Sequence, residues 1–585
     1  MSLKKNHHFI FDFIAIAAVL GCFYLFYLGH HPLFTPDEGR YSEVAREMVA
    51  SGDFITPRVN GVAFLDKPIL YYWLQAAAIQ LFGISEWALR LFPALLGIIG
   101  CLVTYSCGRY LFDRRTGLLS ALILATTPLY FGAAHYANLD LEVAVFISST
   151  LLFFICGVQS EGKARSFFLI AAYICSAFAV LTKGLIGLAF PAMIAGAWMF
   201  LLGRLSLLKK IHLVIGILLF AVIVLPWYIL VQRANPAFLH YFFVTQQVTR
   251  FLSAAEFNNK TQFWFYAPIV LAGFFPWTIF FIQTLISHIK HCWKGRQTRA
   301  VELYLLLWVG IVFIFFSIPH SKIIGYILPI FPALALLTGN YLSDNWRITN
   351  KAGILFGTIL FVLLAAALTT CLLALPYNPQ INLSFLPASY LLVIAGIILF
   401  SALAAVCLLR QRTLLPLFIT CFICSSACLM VVSFGATHLN QNTAKPLVTE
   451  LQKILKPEDE VVNYFKFYQD TPLYLERRIT LVADWDSPTV PLKDNWVREL
   501  WYSMAFQDTH EWLINENTFW QRWHGGKRVF AFVNDNYLKQ FKMHTKKYFM
   551  VGKYNDIVLF SNQAIALFPS PQPSPATTNN NFPNS

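Results

Sequence analysis

Residues able to do chemistry gather in a few short stretches of this chain. The sharpest is Phe34-Thr35-Pro36-Asp37-Glu38-Gly39-Arg40-Tyr41. Asp37 and Glu38 stand at what reads as a helix start, where a carboxylate can act as a base, orient a hydroxyl or hold a cation. The same stretch also reads as a capping box, with Thr35 as N-cap, Pro36 at the first helical position and Glu38 three residues on. Asp66-Lys67-Pro68 sets a cation just ahead of an apolar run. There Lys67 can rest on lipid head groups or pair with a phosphate. Asn138-Leu139-Asp140-Leu141-Glu142 offers two carboxylates or simply an N-cap. Thr182-Lys183-Gly184 offers a lysine in a tight turn, with Gly184 as a helix stop. Arg58, Arg250, Lys322 and Tyr326 complete the set.

The elements that must hold these residues are membrane helices. The 585-residue chain is 57% hydrophobic and only 13% charged, about half the charge of an ordinary soluble domain. Apolar runs of about 20 residues, the length that crosses a bilayer core, recur along it. Thirteen spans are expected, near 9–29, 86–111, 117–134, 141–159, 166–182, 185–202, 211–231, 264–287, 301–318, 323–342, 353–376, 387–409 and 413–435. Alternate loops are basic, from Lys4/Lys5 through Arg114/Arg115 to Arg410/Arg412. The positive-inside rule assigns that side to the cytoplasm. Lys183 and Lys322 fall in loops on the opposite side, which marks them for work other than setting orientation.

Parity makes the run Pro68 to Ile84 an interfacial or re-entrant helix, since a span there would invert every later loop. Pro36 to Ala50 before it is amphipathic, so two juxtamembrane helices are expected in the first outer loop. Residues 1–435 thus form an all-α membrane domain. Residues 436–568 read as a small α/β domain outside the cytoplasm, with strands at Glu460–Phe465, Val529–Val533 and Asp556–Phe560. The tail 569–585, rich in Pro, Ser and Asn, has a composition that does not fold.

Several function classes are excluded. The net charge of +14 is spread over loops and not pooled in a patch, which argues against nucleic acid. Cys421, Cys424 and Cys428 lie inside an apolar run and do not read as a metal cluster. The middles of the spans carry no Asp, Glu, Lys or Arg, unlike a proton-coupled transporter. Phe9 to Leu28 lacks a small-x-small cleavage pattern and reads as a retained first span.

The stretches "TPDEGRYSEVAREMVASGDFITPRVNG", "LDKPILYYWL", "LTKGLIGLAFP", "HYFFVTQQVTRF" and "KIIGYILPIFPALALLTG" resemble the GT-C membrane glycosyltransferases, and most of all the bacterial lipid A aminoarabinose transferases. The resemblance implies a site at the outer face of the inner membrane, in the periplasm. It implies that Asp37 lies at the reacting centre with Glu38 beside it, and that Asp140 is a second carboxylate. Lys67 and Arg250, supported by Arg58, would hold the phosphate of a polyprenyl (undecaprenyl) carrier. Tyr326, Lys183 and Lys322 would line the cavity. The implied reaction moves a sugar, with inversion, from that carrier to lipid A or another envelope glycolipid. A protein O-mannosyltransferase and a lipid-carrier flippase are the alternatives. Asp66 replaces the family's usual Glu, and Gln246-Gln247 stands where the family tends to carry Glu-His. Glutamine is a poor zinc ligand, so any divalent metal would rest on Asp66, and no cofactor is assigned.

Overall fold

The computed structural model describes residues 3–249, 261–347, 351–374, 387–407, 413–439, 442–492, 495–504 and 507–565. The chain divides into two units. The first holds Met1–Thr443 together with Pro488–Asp508, and the second holds Ala444–Ser487 and Thr509–Ser585.

In the first unit, nine helices among the described residues are long and apolar enough to cross a membrane, or eleven if each of two bent pairs is one span. Two shorter apolar helices, Ile186–Leu201 and Thr358–Ala374, occupy the remaining expected runs. The chain is a multi-span membrane protein. The bends fall at Arg114–Ala125 with Pro128–Ala134 (65°) and at Phe263–Gly273 with Thr278–Ser287 (116°). The expected spans 117–134 and 264–287 are therefore broken. Pro128 and Pro276 sit at those breaks, where a missing N–H cannot continue the helical ladder.

Both juxtamembrane helices are present. Helix α1 (Leu3–Leu25) leads to α2 (Asp37–Ser51), and α3 (Leu70–Phe82) follows. The end of α2 is set by Gly52, whose φ of 71° lets its N–H close on the Met48 carbonyl. Between α2 and α3 an unanticipated hairpin pairs β1 (Arg58–Val59) with β2 (Val62–Ala63). Its turn, Asn60-Gly61, has positive φ at both residues, the geometry that an Asn-Gly pair supplies most readily. Gly61 N–H bonds Glu47 at 2.6 Å, fastening the hairpin to α2.

Four further helices frame the site: α4 (Glu86–Leu111), α5 (Arg114–Ala125), α6 (Pro128–Ala134) and α7 (Leu139–Val158). After them, α8 (Gly162–Lys183) runs back against α7. Asn138, not Asp140, caps α7, accepting the Asp140 N–H at 3.0 Å. Gly184, with φ of 91°, ends α8. Asp140 thus opens one helix and Lys183 closes its antiparallel neighbour, so two residues 43 apart in sequence meet at one end of the bundle.

The second unit is α/β. Its six-stranded sheet runs in the order Leu513–Ile514, Thr480–Val482, Glu460–Tyr464, Val529–Asn534, Ile557–Ser561, Phe549–Tyr554. The first four strands are parallel, and the last two join antiparallel. Val529–Asn534, buried at every residue, is the continuous apolar strand a covered sheet requires. Phe519, Trp520, Trp523 and Phe541 fill the core on one face. The segment Pro488–Asp508, which the sequence places within 436–568, clusters instead with the first unit. It carries the amphipathic helix Trp496–Met504.

Candidate active site

The start of α2 is arranged differently from a capping box. Helix α2 begins at Asp37, with no side-chain cap, and the Thr35 hydroxyl donates to the Asn442 carbonyl at 2.8 Å. Glu38 is drawn inward by Arg90. Both side chains are fully buried, and the carboxylate accepts Arg90 Nε at 2.8 Å and Nη2 at 2.7 Å. The N–H groups of Phe34 and Ala137 complete it, each at 2.7 Å. Arg90 also bonds the Leu28, His31 and Pro32 carbonyls. This cluster ties the loop after α1 to α2, α4 and the entry to α7. Glu38, expected in the catalytic group, is a structural anchor in this geometry.

Its neighbour faces the other way. Asp37 opens into a cleft of about 80 Å³ lined by Arg40, Tyr41, Asp66, Lys67, Asp140, Lys183, Tyr326 and Glu499 among others. Arg40 bridges two carboxylates, donating to Asp37 at 2.6 Å and to Glu499 at 2.6 and 2.8 Å. Burial works against its charged form, but Glu499 and Asp37 outweigh it and hold Arg40 above the ordinary arginine range. Burial pushes the Glu499 carboxyl up, against the pull of Arg40. On the opposite wall Lys183 pairs with Asp140, its ammonium 4.2 Å from the Tyr326 ring centre. The neighbouring residue must be Gly325, because a Cβ there would run into the Asp140 carboxylate.

Lys67 lies on the cleft wall, donating to the Asp66 carbonyl at 3.2 Å. The buried Asp66 carboxylate accepts the Tyr241 hydroxyl at 2.5 Å. Among the described residues no group of three or more His, Cys, Asp or Glu could hold a metal ion.

The cleft therefore gathers Asp37, Asp66, Lys67, Asp140, Lys183 and Tyr326. Two expected members lie apart. Arg58 sits in the hairpin, 3.7 Å from Asp53 and bonded to Gln507 at 3.2 Å. Lys322 is buried, donates to the Thr261 carbonyl at 3.3 Å, and burial lowers its pKa. Arg250 lies outside the described residues. Glu499 was not anticipated as a site residue, and Arg40, part of the stretch around Asp37, was given no role. For Arg40 the signal was present, an arginine one turn after Asp37. The cleft thus sets carboxylates and ammonium groups together beside apolar helices, an arrangement able to hold an anionic group and a polar one at once.

This fold is that of a GT-C membrane protein, and comparison with known proteins agrees. The family profile described as dolichyl-phosphate-mannose-protein mannosyltransferase matches residues 10–242. The crystal structure of ArnT from Cupriavidus metallidurans bound to undecaprenyl phosphate superposes with a TM-score of 0.80 and 27% identity, over 96% of this chain and 99% of that one. The fold is of the GT-C type, and in sequence the chain is similar to the aminoarabinose transferases. The undecaprenyl phosphate-alpha-4-amino-4-deoxy-L-arabinose arabinosyl transferase of Aeromonas salmonicida is 32% identical over 356 residues, spanning 59% of this chain and 63% of that protein. A second transferase of that description from Proteus mirabilis is 29% identical over 394 residues, spanning 66% of this chain and 69% of its own.

Proposed function

We propose that the chain is a glycosyltransferase that moves a sugar from an undecaprenyl phosphate carrier to lipid A or a related envelope glycolipid. In this reading it lies in the bacterial inner membrane, with the cleft and the C-terminal domain facing the periplasm. The observation that carries the reading is the cleft itself. Asp37 and Asp140 stand with Lys67 and Lys183 on a fold shared with an ArnT bound to undecaprenyl phosphate.

Cleaving the donor's glycosidic bond leaves a phosphate whose charge grows in the transition state. Lys67, joined by Arg250, stabilises that charge more in the transition state than in the ground state, and only such a difference accelerates the step. Asp37, steadied by Arg40, orients the acceptor or the polar groups of the sugar. If the acceptor is a lipid A phosphate it is already anionic, so no strong base is required. Asp140 is held by Lys183 against Tyr326 and shapes the sugar side of the cleft. A single displacement inverts the anomeric carbon.

The protein mannosyltransferase profile over residues 10–242 favours a second reading, transfer to protein hydroxyls. Mass spectrometry separates the two. Lipid A from cells with and without the chain should differ by one amino-pentose per modified phosphate. Unchanged lipid A alongside newly glycosylated protein would move the acceptor to protein.

A further inference from the structure

Far from the cleft, at the end of the bundle that carries Arg114 and Arg115, helices α1, α4, α7 and α8 enclose a second cavity of about 990 Å³. That volume is at the upper end of ordinary ligand pockets. Along α4 the lining runs from Ile99 to Tyr110, a rise of about 16 Å along the helix axis. The walls are hydrocarbon and aromatic, with Phe13, Val103, Phe153 and Phe168 among them. At the rim Phe167 and Ile99 are 67% and 45% exposed, so the groove is continuous with surface that a bilayer covers. Among the nine spans, α1 is the least buried, at 22%.

The mouth is charged. Asp12, 5% exposed, accepts Arg114 Nε and Nη2 at 2.7 Å, Arg109 at 3.1 Å and the Tyr105 hydroxyl at 2.8 Å. Two guanidiniums on one carboxylate leave that cluster one positive charge in excess, and Arg114 is half exposed. The other acid at the mouth, Asp113, is turned away to cap α5. It accepts the Thr116 N–H at 2.6 Å and the Ser343 hydroxyl, set against the positive end of that helix. Exposed His8 completes the rim.

We infer that this groove is a binding site for an anionic phospholipid, one acyl chain lying along α4 and the phosphate meeting Arg114 beside Arg109. Hydrocarbon walls open to the bilayer select a lipid chain. The Asp12 cluster carries one guanidinium in excess while Asp113 is turned to the start of α5, so the half-exposed Arg114 selects a head group with no ammonium of its own, because a zwitterionic head group brings its own positive charge to the same place. The bound lipid fastens α1 to α4 and α8 at the end opposite the cleft.

Native mass spectrometry of the full chain tests this, by titrating phosphatidylglycerol and phosphatidylcholine of identical acyl chains into detergent-purified protein. One phosphatidylglycerol should persist under conditions that strip phosphatidylcholine. Arg114→Gln should lower that retention about fivefold, the worth of one basic residue at a membrane surface. Val103→Trp, which fills the groove without touching the charged cluster, should abolish retention while the lipid-free unfolding midpoint holds. Equal retention of the two lipids would overturn the proposal, as would retention unchanged by Val103→Trp. Displacement of phosphatidylglycerol by undecaprenyl phosphate at this groove would reassign it to the carrier lipid. A dimer in place of a lipid adduct, lost in Val103→Trp, would assign it to a second copy.

Discussion

Asp37 and Glu38 are adjacent acids with opposite assignments, and substituting each by its amide separates them. Glu38 uses both lone-pair positions on both oxygens. One oxygen takes Arg90 Nε and the Ala137 N–H, and the other takes Arg90 Nη2 and the Phe34 N–H. In Glu38→Gln one oxygen becomes an NH2, which turns a donor toward two donors. Two bonds are lost and a fully buried guanidinium loses its counter-charge. Breaking a buried pair in this way costs about 3–5 kcal/mol. Asp37 is a third exposed and bonds Arg40, so Asp37→Asn should cost about 1 kcal/mol at most. Thermal unfolding and the yield of monodisperse protein in detergent report stability, and turnover per folded molecule reports chemistry. Glu38→Gln should lower the unfolding midpoint and the yield, while the surviving protein turns over normally. Asp37→Asn should fold as the parent does and turn over at least about tenfold more slowly. If Glu38→Gln folds normally and only its turnover falls, the anchor assignment is wrong and Glu38 belongs to the chemistry.

Lys67→Ala should lower turnover at least about tenfold, the loss of one charge-assisted bond of about 1.5–3 kcal/mol, and Lys67→Arg should recover part of it. Normal turnover in Lys67→Ala would move the phosphate site elsewhere. Stability should also depend on pH through Glu43, whose carboxyl burial pushes up to about 8, against the pull of Arg46. The folded state then holds this proton more tightly than the unfolded chain. The contribution is complete below the ordinary value of 4.5 and is lost as pH rises through about 8. The unfolding midpoint should fall between pH 5 and 8, with a shallower slope in Glu43→Gln; an identical slope in that variant would refute the assignment. Finally, reporter fusions after Arg299 and after His438 should report opposite compartments, and the same compartment for both would break the alternation of basic loops.

The spans were legible because a bilayer demands about 20 apolar residues in a row, and among the described residues those runs are helical. Their breaks were signalled by Pro128 and Pro276, which a window of hydropathy averages away. The meeting of Asp140 with Lys183 follows once α7 and α8 are read as antiparallel neighbours, one residue opening a helix and the other closing it. The division of labour at Asp37-Glu38 was not legible. Successive helical residues point about 100° apart, and which one faces the core is decided by Arg90, 52 residues on. Glu499 was hidden more deeply, since its partner Arg40 is 459 residues away. The surrounding Trp496–Met504 reads locally as any amphipathic surface helix. Asn60-Gly61 is itself a hairpin signal, carried by two residues that tolerate positive φ.

The central claim, sugar transfer from a polyprenyl phosphate in this cleft, is tested most directly with purified protein in liposomes. The liposomes would contain undecaprenyl phosphate-linked aminoarabinose and lipid A. Chromatography and mass spectrometry should find glycosylated lipid A and free undecaprenyl phosphate appearing in equal amounts, both lost together in Asp37→Asn and Lys67→Ala. Movement of the intact donor across the bilayer with no glycosylated product would contradict the account and leave a lipid transporter in its place.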